Sequence, residues 1–358
     1  MRIKKGKRII FCFFYLFSCF LLFSQEIKIN QKEGILQEKI RDHITFHKFK
    51  KFQPDLSQAV ISRLTKVIIH RDRVFILDKR QARIFVFDKR ANYLYSIGRP
   101  GQGPGDLEYP DDFIISEEGT LFVVNSMAKR IEVFSIKGDF QRRIELVLPE
   151  EIFYSNPSCL LINSNKQFFI AYSLSSHLID LYDYQGNYIR NLLKREEPIL
   201  IPGQNLGNSS QILFFNKSNK ILHFNHFSGI FTILSKKGEV ETVFSAFDKA
   251  HARDVTRIKR SLEEKRRTKK PGIRISDYQI WSNCWIDKND IIYVFLMFKN
   301  KDESQQMFVF SPEGTFLYRI TIPYFKGIRI DKAFCYGDDS VFISRDHEIF
   351  IAKKRRAK

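Results

Sequence analysis

DFIISEEGTLFVVNSMAKRIEVFSIKGDFQRRIEL, residues 112–146, reads as four short strands in a row: DFIIS (112–116), TLFVVN (120–125), RIEVF (130–134) and FQRRIEL (140–146). Apolar and polar residues alternate along the third and fourth, the period of a half-buried strand, and the first two are short apolar runs. Short turns join them, so consecutive strands pair antiparallel. Immediately upstream the series occurs again as KVIIH (66–70), RVFIL (73–77), RIFVF (83–87) and YLYSI (93–97).

The second half of this unit recurs along the chain. IFVFDKRANYLYSIG (84–98) aligns with IEVFSIKGDFQRRIE (131–145), IDLYDYQGNYIRNLL (179–193), FTILSKKGEVETVFS (231–245) and MFVFSPEGTFLYRIT (307–321). Each is strand, turn, strand. Gly138, Gly186, Gly238 and Gly314 occupy the turn, with Ala91 in the equivalent place of the first unit. The repeat length is near 50 residues, except where a basic insertion lengthens one interval. Four antiparallel strands at that period are the pattern of a propeller blade. Units three, four and five start near Cys159, Ile212 and Ile280. A sixth starts near Lys332 and supplies three strands, ending with EIFIA (348–352). Residues 28–50 also alternate, and HITFHKF (43–49) is expected to be the missing outer strand, because an open ring would expose an unpaired edge. The expected fold is all-β: a six-bladed propeller of four-stranded antiparallel blades, closed by an N-terminal strand, with one helical insertion between blades 4 and 5. The expected boundaries are a signal peptide at 1–24, an N-terminal segment at 25–57, the propeller at 58–352 and a basic tail at 353–358.

The 358 residues carry a net charge of +19, with 59 Lys and Arg against 40 Asp and Glu. Nearly all of the excess lies in three segments: 1–24, 249–275 and 353–358. The body is close to neutral, so the high charge does not imply a nucleic-acid partner. MRIKKGKR followed by the apolar run 9–23 has the form of a secretory signal, shorter than a membrane span. Cleavage near Ser24, a lipid anchor on Cys19 and a retained anchor helix all remain open. Each places the body outside the cytoplasmic membrane, and membrane association is expected only through this segment, if retained or lipidated. Cys159, Cys284 and Cys335 form neither a disulfide framework nor a metal motif and read as core residues, with a Cys284–Cys335 bridge left open.

Residues 97–144 resemble the NHL-type six-bladed β-propellers. The motif is a glycine-rich loop, a proline, an inner strand, then Asp or Asn, four residues, Arg-Ile-x-Val-Phe and a turn glycine. Asn125, Arg130, Ile131, Val133, Phe134 and Gly138 fill it, as do Asp78, Arg83, Ile84, Val86 and Phe87 one blade earlier. Blade 3 departs from it with Ser173 and Leu178, and blade 4 keeps Asn225 but has Ile230. The resemblance implies a rigid disc around a central channel. It implies no single activity, since such propellers include scaffolds, binding modules and metal-dependent lyases and lactonases.

No HExxH, Gly-x-Ser-x-Gly or Cys-x-x-Cys motif occurs. The loop Arg99–Gly105 lacks the Gly-Lys-Ser/Thr ending of a phosphate loop and precedes a strand, so it reads as an inter-blade connection. Asp78/Arg83 and Asn125/Arg130 read as turn-bracing pairs. Asp111 and Asp112 precede an inner strand near the expected channel mouth, where two carboxylates are a partial calcium set. The segment 246–272, with Val255, Ile258 and Leu262 at helical spacing, carries Arg257, Arg260 and Lys265. In an antiparallel blade the 99–110 loop, this insertion and the Asp78–Arg83 and Asn125–Arg130 turns all fall on one face. That face is the expected binding face, with Arg99, Asp111, Asp112, Arg257, Arg260 and Lys265 as its candidates. The function expected is that of a monomeric extracytoplasmic ligand- or protein-binding scaffold with no catalytic residues and no cofactor. The alternative is a metal-dependent lactonase- or lyase-like enzyme at the channel mouth, with calcium held by Asp111 and Asp112.

Overall fold

The computed structural model describes residues 44–54, 60–173, 175–194, 210–226, 230–245, 281–299, 305–322, 330–336, 339–344 and 347–356. Six four-stranded antiparallel sheets form the disc. Blade 1 comprises Leu64–His70, Arg73–Asp78, Arg83–Asp88 and Tyr93–Ile97; blade 2, Pro110–Ile115, Thr120–Asn125, Arg130–Ser135 and Phe140–Glu145. Blade 3 comprises Asn156–Ile162, Phe168–Ser173, His177–Tyr182 and Tyr188–Lys194; blade 4, Ser210–Phe214, Ile221–Asn225, Ile230–Leu234 and Val240–Ser245. Blade 5 comprises Trp281–Ile286, Ile292–Lys299, Gln305–Phe310 and Phe316–Ile322. Blade 6 takes Ile330–Tyr336, Asp339–Ser344 and Ile349–Arg356 from one end of the sequence and Ile44–Phe52 from the other. The first strands of the blades neighbour one another in a closed ring around the axis. The signal segment and the helical insertion 246–272 lie outside the described residues.

The closing strand is where the alternation places it. Phe52 pairs with Ile349, Lys50 with Ile351 and His47 with Lys353, with a bulge between His47 and Lys50. One boundary differs from the expectation. The third strand of blade 6 runs on past Ala352 to Arg356, so most of the basic tail is paired, Lys353–Arg356 against Ile44–His47. Alternation stops being readable there because the residues are all cationic, although backbone pairing does not depend on side-chain type.

The disc has no single central core. Each blade buries both of its faces, and apolar side chains gather between neighbours. Blades 1 and 2 share Phe75, Val86, Phe113 and Phe134. Blades 2 and 3 share Phe122, Ile131, Phe168 and Tyr182; blades 3 and 4 share Phe169, Ile179, Ile212 and Leu234. Blades 4 and 5 are joined by Phe224, Phe231, Phe308 and Phe310, and blades 5 and 6 by Trp285, Phe295, Phe342 and Phe350. Between blades 6 and 1, Phe52 joins Phe87, Phe334 and Ile349, its ring edge-on to Phe87 at 5.9 Å.

The turn between the third and fourth strands also joins blades. In blade 3 it is Asp183-Tyr-Gln-Gly186-Asn187, where Asp183 accepts the backbone N–H groups of Gln185 and Asn187. Gly186 has φ +94° and packs on the outer strand of blade 2, its carbonyl accepting the N–H of Val147. A Cβ there would overlap the carbonyl oxygen of Glu145. Ala91 holds the same position in blade 1 at φ +74°, as the repeat alignment requires.

Two measurements check this account. Phe52→Ala should lower unfolding stability by about 3–4 kcal/mol, a core aromatic truncation, although Phe52 belongs to the strand most remote in sequence from its blade. The exposed Tyr154→Ala should stay within about 0.5 kcal/mol in the same denaturant titration. Gly186→Ala should cost about 2 kcal/mol or more, from left-handed backbone and overlap together.

Candidate functional site

The innermost strands of adjacent blades do not pair as a sheet, so their inward edges need other partners. Side chains at one equivalent position supply them. In five blades this position directly follows a bulge near the start of the strand. Lys66 of blade 1 reaches Asp112 of blade 2 at 2.6 Å. The other oxygen of Asp112 accepts the N–H of Leu160 in blade 3 at 2.9 Å. Cys159 of blade 3 directs its Sγ at the carbonyl of Ile212 in blade 4, 3.9 Å away. Gln211 of blade 4 donates to the carbonyl of Cys284 and accepts its N–H, at 2.8 and 2.9 Å. Asn283 of blade 5 makes the same two bonds to Ala333 of blade 6. Lys332 of blade 6 donates to the carbonyl of Thr65 in blade 1 at 2.8 Å. The six links form a girdle around the axis.

The girdle fixes the chemistry of the axis. Burial first, then the nearby Asp112 charge, pushes the Cys159 thiol well above its ordinary pKa, and burial does the same for Cys284. Both are free thiols, kept protonated, so neither is an activated nucleophile, and Cys284 forms no bridge to Cys335. Asp111 and Asp112 do not converge. Neighbours on a strand point to opposite sides: Asp112 turns to Lys66 and Leu160, and Asp111 pairs with Lys79. Among the described residues no group of three or more His, Cys, Asp or Glu is gathered as a metal would need.

The second- to third-strand turns and the inter-blade connections share one face, as the strand order requires. The turn residue Lys79 meets Asp111 at the entry to blade 2, and the turn residue Lys129 donates to the carbonyl of Phe153 in the connection to blade 3. Of the turn residues, Asp78, Asn125 and Arg130 serve that junction individually. Asp78 lies opposite Arg83 in register, but its carboxylate accepts N–H groups from Ser62, Arg63, Arg80 and Gln81. Desolvation pushes its pKa up, and the bonds from Gln81, Ser62 and Arg63 outweigh this and hold it below the ordinary carboxylate value. Asn125 accepts from Glu108 N and donates to the Asp106 carbonyl. Arg130 turns to the buried Glu132 at 2.6 Å and to the Gln102 carbonyl, assisted by Arg143. Arg99 pairs with Asp106 at 2.7 Å, across the glycine-rich loop it begins. Asp78, Asn125 and Arg130 therefore brace loops to blades, rather than bonding across their own turns. Arg257, Arg260 and Lys265 lie outside the described residues.

What the sequence reading missed is an arc of exposed apolar side chains on this face. Tyr109 is 47% exposed, Met127 55%, Phe153 56% and Tyr154 92%. Lys79 caps the Tyr109 ring at 4.3 Å and Lys129 the Phe153 ring at 4.4 Å, and Phe153 and Tyr154 meet edge to face. The Glu108–Asn125 bond ties the connection that carries Tyr109 to the strand that leads into the Met127 turn. Tyr109 stands at φ +61°, an uncommon backbone for a bulky residue. The available signal was the occurrence of aromatics in inter-blade connectors, just before Pro110 and Asn156, where no strand pattern calls for them.

Asn283→Ala should cost about 2–3 kcal/mol, because it orphans a backbone donor and an acceptor of Ala333 together. Ser311→Ala, in an exposed turn, is the comparison. Thermal unfolding of both variants checks this.

Comparison with known proteins agrees with the architecture. Residues 56–280 match the DUF5128 family, described as a 6-bladed beta-propeller. A Bacteroides fragilis protein whose given name is that of an exported protein superposes with a TM-score of 0.59 at 13% identity, covering 91% of this chain and 98% of its own. A duf4221 family member from Bacteroides vulgatus gives 0.59 at 10% identity over 90% and 100% of the two chains. Virginiamycin B lyase from Staphylococcus aureus gives 0.51 at 10% identity over 87% and 99%. Identities this low speak for the fold alone. A comparison with curated proteins finds no match. With more than half its length matched and six blades closed into a disc, the chain belongs to the DUF5128 family of six-bladed β-propellers.

Proposed function

We propose that this chain is an extracytoplasmic binding propeller that docks a protein partner on the loop face of blades 1 to 3. The observation that carries the reading is the arc Tyr109, Met127, Phe153 and Tyr154. Exposed apolar side chains gathered on one face mark interaction sites, and aromatic anchors dominate the energetics of such sites. Lys79 and Lys129 stack on two of the rings and hold them in place before a partner arrives, which lowers the ordering cost of association. The strands that flank the basic segment end at Ser245 and begin at Trp281 on this same face.

Location outside the cytoplasm is supported by the basic, then apolar, N-terminal segment, and by the Bacteroides fragilis neighbour that bears the name of an exported protein. The engagement of Asp111 and Asp112 by lysines favours binding over metal-assisted lyase or lactonase chemistry at the channel mouth.

The test is a pull-down from the native host, followed by affinity measurement with the captured partner. Phe153→Ala/Tyr154→Ala should weaken binding roughly tenfold or more while leaving the melting curve in place. Leu94→Ala, on the outer rim, should not. Capture that is indifferent to the double variant would sink the reading, as would turnover of a substrate at the axis.

A further inference from the structure

The seam of blade 6 carries charge that the binding face does not use. The two strands Ile44–Phe52 and Ile349–Arg356 hold Lys48, Lys50, Lys51, Lys353, Lys354, Arg355 and Arg356, and neither strand contains an acid. Around them, Glu348 pairs with Lys51, and Asp339 lies opposite Lys353. The two paired strands thus carry seven Lys and Arg and no Asp or Glu of their own. Like charges on neighbouring strands repel, so the concentration is a cost to the fold that a purely structural seam would avoid.

The geometry adds a direction. Asp339, the first residue of the adjacent strand, is opposite Lys353, whereas the seam pair continues through Phe46–Lys354 and Thr45–Arg355 to Ile44–Arg356. These last residues form a two-stranded ribbon beyond the four-stranded sheet. Third strands start at the loop face and run toward the other, so the ribbon ends on the face opposite Tyr154. The chain upstream of Ile44 joins the disc at that end, and it is this upstream chain that contains the apolar run 9–23 and its five basic residues.

We propose that the basic ribbon seats this face of the disc on an anionic phospholipid surface, leaving the loop face directed away from the membrane. Lysine and arginine clusters next to an apolar segment are attracted to acidic headgroups, and one hydrophobic attachment together with a polybasic patch makes a stable anchor where either alone is weak. The partner is lipid rather than an acidic polymer, because the ribbon lies at the end of the disc where the chain bearing the apolar run 9–23 joins it.

The experiment is co-sedimentation of the full chain with phosphatidylglycerol-containing and with pure phosphatidylcholine vesicles, at low and high salt. The apolar segment binds both compositions, so the signal is the ratio between them. At low salt the wild type should favour anionic vesicles by roughly tenfold or more, and high salt should abolish the preference. Lys353→Gln/Lys354→Gln/Arg355→Gln/Arg356→Gln should reduce that ratio several-fold, with phosphatidylcholine binding unchanged. Lys48→Gln/Lys50→Gln/Lys51→Gln, on the partner strand, does the same if the first variant folds poorly. Phe153→Ala/Tyr154→Ala should leave the ratio untouched, which separates failure here from failure of the docking reading. An equal ratio in wild type and folded charge variants would overturn the proposal, as would heparin or DNA displacing the protein from vesicles at concentrations far below its charge equivalence.

Discussion

A propeller blade has two apolar faces, and neither is tolerable in water. Every blade must therefore be held between two others, a condition that only a closed ring meets. In this protein the condition is satisfied six times by interfaces built mainly of phenylalanine, isoleucine and valine. The sixth interface depends on Ile44–Phe52, a strand contributed from the opposite end of the sequence. The stability of any one interface is inseparable from the others, because opening the ring at the seam exposes both the face of blade 1 and the unpaired edge of blade 6.

The apolar interfaces set how the blades pack but do not by themselves settle the backbone at the axis. There the strands come close without pairing, and the girdle of Lys66, Asp112, Cys159, Gln211, Asn283 and Lys332 takes over. The amides of Gln211 and Asn283 act as substitutes for a missing strand, offering one donor and one acceptor to a neighbouring peptide. The lysines and the aspartate do the same work with charge. The axis is thus ringed by bonds already committed, while the loop face of blades 1 to 3 carries exposed aromatic side chains.

The repeat, the turn glycines and the closing strand were legible because each is a local or periodic property. Alternation marks HITFHKF as a strand wherever it ends up, and Ala91 can be assigned to a glycine position because the flanking strands align. The girdle was not legible. Its six positions hold five different residue types, and each side chain answers to a group one blade away rather than to its own neighbours. The split of Asp111 from Asp112 follows from strand geometry and could have been anticipated, since adjacent residues cannot share a small ion across a pleat. Tyr109, Phe153 and Tyr154 were overlooked for a different reason. Connectors have no period, so an exposed aromatic within one looks like any other loop residue until its surroundings are known.

The seam also orders events in time. Ile44–Phe52 is made early, and its partner Ile349–Arg356 is made last, some three hundred residues later. Contacts of such separation form slowly, because most of the chain has to be arranged before they are rewarded. Until then a strand with four aromatic or aliphatic residues in nine stands without its partner, in competition with the same strand on other molecules. Lys48, Lys50 and Lys51 interrupt that stretch, and charges on an unpaired edge oppose pairing between copies. The residues that give the finished seam its charge are therefore also what keeps it single while the rest of the disc is still being assembled.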